Sequence, residues 1–174
     1  RKKNKDYLGI LNFFDIAIEH EPKNWDHVFQ KGSVYQHIND LDEAVSCYKQ
    51  VLKRQPNHAE AYNNLGNVLR AKGQLDEAIG SFCRAIEIKP DYSKAYYNKG
   101  NVLAEQFQFK AAIDSFNSAL SINPGYGKAL VEKLKLQAEI CDWSELKGPS
   151  STSSLLHDVK EVVSPFSTLA LEDT

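Results

Sequence analysis

Four asparagines recur at a regular spacing, and together with a fifth beside them they could hydrogen-bond a polypeptide backbone. Asn64 and Asn98 are 34 residues apart, and Asn63 adjoins the first of them. Asn67 and Asn101 repeat the same spacing of 34 residues. A side-chain amide carries two N–H donors and one acceptor oxygen, so a row of amides can pair with peptide groups of any sequence. These residues predict a polar surface that binds a protein or a peptide.

The other chemically active residue types form no catalytic pattern. The five histidines lack metal-ligand spacing, and three cysteines (Cys47, Cys83 and Cys141) fit neither a zinc motif nor a disulfide framework. Acidic pairs such as Asp76–Glu77 fall at the predicted starts of helices, where carboxylates favour the positive end of the helix dipole. We therefore expect this chain to be no enzyme and to carry no metal and no cofactor.

The composition argues against two classes of partner. Hydrophobic residues make up 42% of the chain and the formal net charge is −2, whereas nucleic-acid and anionic membrane surfaces need a basic excess. No apolar run approaches the roughly 18 residues of a membrane-spanning helix, and the unpaired cysteines favour a reducing compartment. We expect a cytoplasmic protein with no nucleic-acid and no membrane partner.

Because the sequence contains no Met and begins at Arg1, we interpret it as part of a longer protein.

A 34-residue period organises the chain. Glycines, alanines and aromatic residues recur in register with four evenly spaced prolines, which are Pro22, Pro56, Pro90 and Pro124. Internal periods of this length indicate stacked repeats, and each unit predicts two helices, A and B. In one copy Asn57 is a predicted N-cap, Gly73 ends helix A, and Gly66 is predicted to face Ala78 and Ala85 of helix B.

Three stretches of this copy resemble the tetratricopeptide-repeat consensus. They are Ala59-Glu-Ala-Tyr-Asn-Asn-Leu-Gly-Asn-Val-Leu69, Gly73-Gln-Leu-Asp-Glu-Ala78, and the segment from Ala85 to Pro90. The resemblance covers residues 7 to 140. It implies an all-α fold, a right-handed α-solenoid of antiparallel helix pairs, acting as a protein-interaction scaffold.

The resemblance divides the chain into three parts. Residues 1–24 form a partial first repeat that has helix B only. Residues 25–140 form three full repeats and one further helix A. Residues 141–174 form a capping or linker segment, in which the spacing of Leu155, Leu156, Val159, Val162 and Val163 predicts one short amphipathic helix.

The C-terminal segment resembles a junction found in O-linked N-acetylglucosamine transferase-like proteins. The matching residues are Cys141-Asp142-Trp143 and the stretch Val163-Ser-Pro-Phe166. In such proteins the repeats lead into a glycosyltransferase domain, which would follow Thr174. The resemblance implies that this chain is the substrate-recruiting arm of a glycosyltransferase-like protein. It does not imply that the chain itself has transferase activity.

In tetratricopeptide arrays the A helices line the concave face, and this placement defines the predicted site. Asn64 and Asn98 resemble the asparagine ladder of glycosyltransferase-linked arrays, whereas Gln30 and Glu132 depart from it in the flanking units. Asn67 and Asn101 either bind the ligand or hydrogen-bond between adjacent A helices. The predicted peptide-binding residues are Gln30, Asn63, Asn64, Asn67, Lys94, Tyr97, Asn98 and Asn101.

Two other interactions are alternatives to this site. Arrays that clamp the C-terminal carboxylates of a chaperone need paired basic residues. Here Lys94 is present, but Asn98 stands where an arginine is wanted, and we rank this clamp below the amide ladder. Self-association is the other alternative, since the unmatched helix of residues 7–22 and the apolar tail of residues 155–171 could join copies into a homo-oligomer.

Overall fold

The computed structural model describes residues 3–140, with side chains from residue 7 onward. This part contains eight α-helices and no strand, and each helix packs mainly on its neighbours in sequence, so the fold is an open all-α solenoid. The predicted junction at Cys141–Trp143 and the predicted helix at residues 155–163 lie outside the described residues. The helices are α1 Lys3–His20, α2 Trp25–His37, α3 Leu41–Arg54, α4 Ala59–Ala71, α5 Leu75–Ile88, α6 Ser93–Glu105, α7 Phe109–Ile122 and α8 Gly127–Glu139.

The helix boundaries follow the 34-residue period. Each B helix (α1, α3, α5 and α7) ends two residues before one of the evenly spaced prolines, because the residue before proline disfavours helical geometry. The N-cap prediction at Asn57 is wrong by one residue. His58 is the N-cap of α4, and its Nδ1 accepts the backbone N–H of Ala61 at 3.2 Å.

The turn between helix A and helix B uses a left-handed residue in every repeat. Asn39, Gly73 and Phe107 have φ of 65°, 75° and 59°, and they lie one period apart. Glycine and asparagine adopt this conformation readily, whereas a bulky residue such as phenylalanine is strained there. Phe107 is also 80% exposed. The repeat geometry therefore imposes the left-handed turn on a residue that does not favour it.

Aromatic side chains from the B helices fill the interior of each repeat. Tyr48, Phe82 and Phe116 are fully buried. A Cβ added at Gly66 would lie 2.7 Å from the Phe82 ring. The atoms nearest to Gly66 thus belong to the Phe82 ring, so the glycine makes room for this aromatic side chain, and the predicted approach of Gly66 to Ala78 and Ala85 stays a prediction.

A polar link joins the A–B turn of one repeat to helix B of the preceding repeat. Lys72 pairs with Asp42, and one period later Nε2 of Gln106 donates to Oδ1 of Asp76 at 2.7 Å. The preceding copy of this link would join Ile38 to Leu8, and both residues line a single depression beside α1. Two apolar residues thus occupy the positions of the polar link at the first repeat.

None of the described helices combines the length and the apolar character needed to cross a membrane.

Candidate functional site

The A helices form the inner face of the solenoid. Successive A helices (α2, α4, α6 and α8) contact one another, and successive B helices do so less, which makes the A side concave. Asn67, Arg70 and Glu105 line one open depression on this face, and Arg70, Glu105, Asn101 and Glu132 line the next. We call this continuous surface the inner groove.

An amide hydrogen bond joins two adjacent A helices. Nδ2 of Asn98 donates to Oδ1 of Asn63 at 2.8 Å, and Nδ2 of Asn63 donates to Oδ1 of Asn64 at 3.3 Å. Asn63 is 0% exposed and Asn98 is 8% exposed. Buried amides of this kind stabilise the fold only while they remain paired. The fold-supporting role considered for Asn67 and Asn101 therefore falls at Asn63 and Asn98 in the structure.

Asn98 nevertheless keeps one polar atom at the surface. Within residues 7–140 no fully buried side-chain nitrogen or oxygen lacks a hydrogen-bond partner. The Oδ1 atom of Asn98 forms no side-chain hydrogen bond with the described residues, so it must retain contact with solvent. Asn98 can thus support the packing of α6 on α4 and still offer one acceptor to a ligand.

The side-chain amides of Asn67 and Asn101 are available to a ligand in the groove. Both are half-buried, both line the depressions, and neither forms a side-chain hydrogen bond with another residue that the structure describes. Gln30 and Lys94 are exposed. An unpaired amide facing a groove can bind either a C=O or an N–H group of an extended chain.

Asn64 lies beside a buried polar network. The Tyr48 hydroxyl donates to Oε1 of Gln36 at 2.9 Å and lies 3.2 Å from Oγ of Ser33. Burial raises the pKa of the Tyr48 phenol, and hydrogen bonds with Ser33 and Asn64 oppose this shift. The phenol therefore stays protonated at neutral pH. Because Asn64 is held by Tyr48 and Asn63, its amide is less free than that of Asn67.

The aromatic residues of the A helices serve mainly in packing. Phe29 is buried and stacks on His58, with ring centroids 4.9 Å apart. Tyr97 contacts the rings of Phe116 at 5.8 Å and Tyr126 at 5.1 Å. Tyr97 also lines an open depression together with residues of α8. Of Phe29 and Tyr97, it is therefore Tyr97 that can touch a bound chain.

The charges of the inner groove are largely neutralised by each other. Nε of Arg70 donates to Oε1 of Glu105 at 2.7 Å, and Nζ of Lys135 lies 2.9 Å from Oε1 of Glu132. Exposed ion pairs of this kind contribute little to stability, but they leave few net charges for a ligand. Such a surface favours a ligand recognised through its backbone over one recognised through several like charges.

Metal-ligating and nucleophilic side chains are the last feature of the described residues that bears on function. No cluster of three histidine, cysteine or carboxylate side chains occurs between residues 7 and 140. Burial raises the pKa of the Cys47 thiol to about 11, so the thiol stays protonated at neutral pH and is a poor nucleophile.

One feature of the groove was not predicted from the sequence. Phe107, Phe109, Phe116 and Leu136 provide the apolar part of the depression that contains Asn101. The only sequence signal was the departure of Phe107 from the glycine found at the equivalent position, Gly73.

Comparisons with known protein families agree with this architecture. Two family models, both described as tetratricopeptide repeat, match residues 29–93 and 93–126. A curated relative, Protein O-mannosyl-transferase Tmtc3 of Drosophila melanogaster, is 32% identical over 59 residues. This match covers 33% of the present chain and only 6% of that protein.

Solved structures with the same fold cover most of the chain. A crystal structure of MamA has a TM-score of 0.77 at 23% identity and covers 92% of this chain and 94% of that one. YrrB, described as a TPR protein with an unusual peptide-binding site, has a TM-score of 0.68 at 25% identity, covering 75% and 68%. The first TPR of Spaghetti (RPAP3), bound to the HSP90 peptide SRMEEVD, has a TM-score of 0.66 at 19% identity, covering 68% and 94%.

Proposed function

Since the chain belongs to the tetratricopeptide-repeat family, we propose that it is a non-catalytic scaffold that binds an extended peptide or protein segment in the inner groove. The observation that carries this proposal is the pair Asn67 and Asn101. Their amides lie one repeat apart, face the groove and have no side-chain hydrogen-bond partner among residues 7–140. The solved YrrB and RPAP3 structures, whose descriptions name a peptide site or a bound peptide, support this class of ligand. We place this activity in the cytoplasm, in line with the unpaired cysteines.

The chemistry of the groove favours recognition of the ligand backbone. The RPAP3 repeat binds a peptide with three acidic residues, SRMEEVD. In the present chain Arg70 is already paired with Glu105, and the buried amides Asn63 and Asn98 occupy positions where cations would be needed. A strongly acidic peptide would therefore leave carboxylates without compensating charge. We propose an extended segment of low net charge as the ligand.

Replacing both open amides should weaken peptide binding without unfolding the chain. Peptides selected from a random display library against the wild-type protein serve as probes, and their affinity is measured by fluorescence polarisation. We expect Asn67→Ala with Asn101→Ala to weaken binding about tenfold, because two hydrogen bonds of roughly 0.5–1.5 kcal/mol each are lost.

Asn117→Ala is the matched control, since Asn117 lies on helix B α7, outside the inner groove. This variant should bind the same peptides with unchanged affinity, and SRMEEVD should compete poorly for the site. Equal affinities for the double variant and the wild-type protein would contradict the groove proposal.

A finer proposal is that the scaffold recruits polypeptide substrates for a glycosyltransferase domain. It is supported by the resemblance of Cys141-Asp142-Trp143 to a repeat-to-catalytic-domain junction and by the short match to an O-mannosyl-transferase. Sequencing the reading frame beyond Thr174 tests it. We expect a glycosyltransferase domain there, and a stop codon directly after Thr174 would reject this role while leaving the peptide groove intact.

A second candidate function is self-association through an end of the solenoid. The observation that favours it is the exposure of large apolar side chains on α1, namely Leu8, Ile10, Phe13 and Ile16. Isolated exposed apolar residues are common on proteins, but Ile10, Phe13 and Ile16 are spaced three residues apart on one side of α1, and such a group marks an interaction surface. Light scattering over a concentration series tests this candidate, and a monomer at every concentration would contradict it.

A further inference from the structure

The ion pair of Arg70 with Glu105 lies in the inner groove beside the two open amides. Arg70 follows Asn67 on α4 and Glu105 follows Asn101 on α6, in each case by about one helical turn. Both members of the pair line both of the depressions that contain these amides. A ligand that contacts Asn67 and Asn101 together therefore also meets the ion pair.

The repeats stack without an ion pair at the equivalent positions of the other junctions. One repeat earlier the two positions hold Gln36 and Ala71, and one repeat later they hold Ala104 and Glu139. The A helices contact each other at all three junctions. Exposed ion pairs also contribute little to stability, and the side chains of Arg70 and Glu105 are 36% and 40% exposed. The solenoid therefore does not require this pair, which is free to serve the ligand.

The hydrogen bonds within the pair all use one carboxylate oxygen. Nε of Arg70 donates to Oε1 of Glu105 at 2.7 Å, and Nη2 of Arg70 donates to the same oxygen. Nη1 of Arg70 and Oε2 of Glu105 form no hydrogen bond with another residue of the described part of the chain. A carboxylate of the ligand can thus approach Arg70 only where it also meets the negative charge of Glu105.

We infer that Glu105 determines the charge specificity of the inner groove, because it holds Arg70 and so excludes acidic ligand residues from this position. This inference rests on the proposed peptide-binding function and deepens it. A ligand carboxylate would be attracted by Arg70 and repelled by Glu105 at a similar distance, so its loss of hydration would go uncompensated. A ligand cation meets the same balance with the signs reversed. The position over the pair therefore accepts an uncharged residue.

Glu139 provides a matched comparison within the same groove. It lies one period after Glu105, is exposed and lines the depression that contains Asn101. The residue equivalent to Arg70 at this junction is Ala104, so Glu139 has no arginine to hold there. Neutralising Glu139 changes the charge of the groove as much as neutralising Glu105 does, but it releases no cation.

A glutamate scan of bound peptides tests the role of Glu105. Peptides selected from a random display library against the wild-type protein are resynthesised with Glu at each position in turn, and their affinities are measured by fluorescence polarisation. In the wild-type protein, Glu at the position over the pair should weaken binding about fivefold relative to the parent peptide. In Glu105→Gln this penalty should vanish or reverse, because Arg70 can then pair with the added carboxylate.

Two further variants test whether the released Arg70 is the cause. Glu139→Gln should keep the wild-type penalty. Combining Arg70→Gln with Glu105→Gln should restore the penalty, because no cation then remains to pair with the added carboxylate. A penalty relieved equally by Glu105→Gln and Glu139→Gln would show that total charge sets the specificity and would overturn the inference.

The design separates this inference from the peptide-binding function. Each penalty is the ratio of two affinities for the same variant, so a change in overall affinity does not affect it. Thermal unfolding should show a native fold for every variant, since the charges involved are exposed. A wild-type protein that selects peptides, with no position relieved in Glu105→Gln, would overturn the role of Glu105 and leave the groove standing. A wild-type protein that selects no peptide would contradict both.

Discussion

Phe82→Ala is expected to lower the free energy of unfolding by about 3–5 kcal/mol, which is the usual cost of removing a large buried aromatic side chain. The ring is fully buried and lies directly over Gly66, so its removal leaves a cavity between α4 and α5. Urea denaturation followed by circular dichroism measures the change. Phe107→Ala is the control, because that side chain is 80% exposed, and it should change stability by no more than roughly 0.5 kcal/mol.

The same packing makes the effect of Gly66→Ala depend on residue 82. In the wild-type chain the new Cβ would lie 2.7 Å from the Phe82 ring, and such overpacking costs roughly 1–3 kcal/mol. In the Phe82→Ala background the ring is gone, and alanine should stabilise the helix by about 1 kcal/mol relative to glycine. Additive effects of the two changes would contradict this account of the repeat interior. Gly80→Ala, where no atom lies within 4 Å of the added Cβ, should be stabilising in either background.

Asn63→Leu is expected to cost about 1–3 kcal/mol, because the buried amide of Asn98 loses the acceptor for its Nδ2 donor. Leucine has as many side-chain heavy atoms as asparagine, so the substitution opens no cavity. Asn98→Leu should also destabilise the chain. The variant with both changes should lose less than the sum of the two single losses, since neither partner is then left unpaired.

Thermal unfolding of the three variants, combined with peptide affinity, separates the two roles of Asn98. If Asn98→Leu keeps native stability but binds peptide more weakly, Asn98 serves the ligand alone. A destabilised Asn98→Leu that still binds peptide would assign it to the fold alone. The structure supports a shared role, with Nδ2 bonded to Asn63 and Oδ1 in contact with solvent.

The helix pairs could be predicted from the sequence because their signals repeat. Proline stops each B helix in the same way in every unit, and Gly73 marks the left-handed turn that Asn39 and Phe107 also adopt. Phe107 shows that the stacking of neighbouring repeats decides the turn, since local preference alone would not place phenylalanine there. The all-α solenoid is therefore confirmed at the level of helix order and type.

The burial of the amides could not be predicted from spacing alone. Asn64 and Asn98 are equivalent by period, yet Asn98 bonds to Asn63, because adjacent A helices are offset and equivalent residues do not face each other. Helical periodicity assigns a residue to a face of the helix only to within about one position. It therefore could not tell which of the adjacent residues Asn63 and Asn64 is the buried partner of Asn98. The assignment of individual groove residues to the ligand stays a prediction until binding is measured.

Residues 59–92 carry both partners of the polar link between repeats. Within this segment Lys72 connects backward to Asp42, and Asp76 connects forward to Gln106. A second tandem copy of the segment would place its own Lys72 opposite Asp76 of the first copy. These two residues could then form an ion pair like that of Lys72 with Asp42. Duplicating the segment would therefore repeat the same polar contact at the new boundary between repeats.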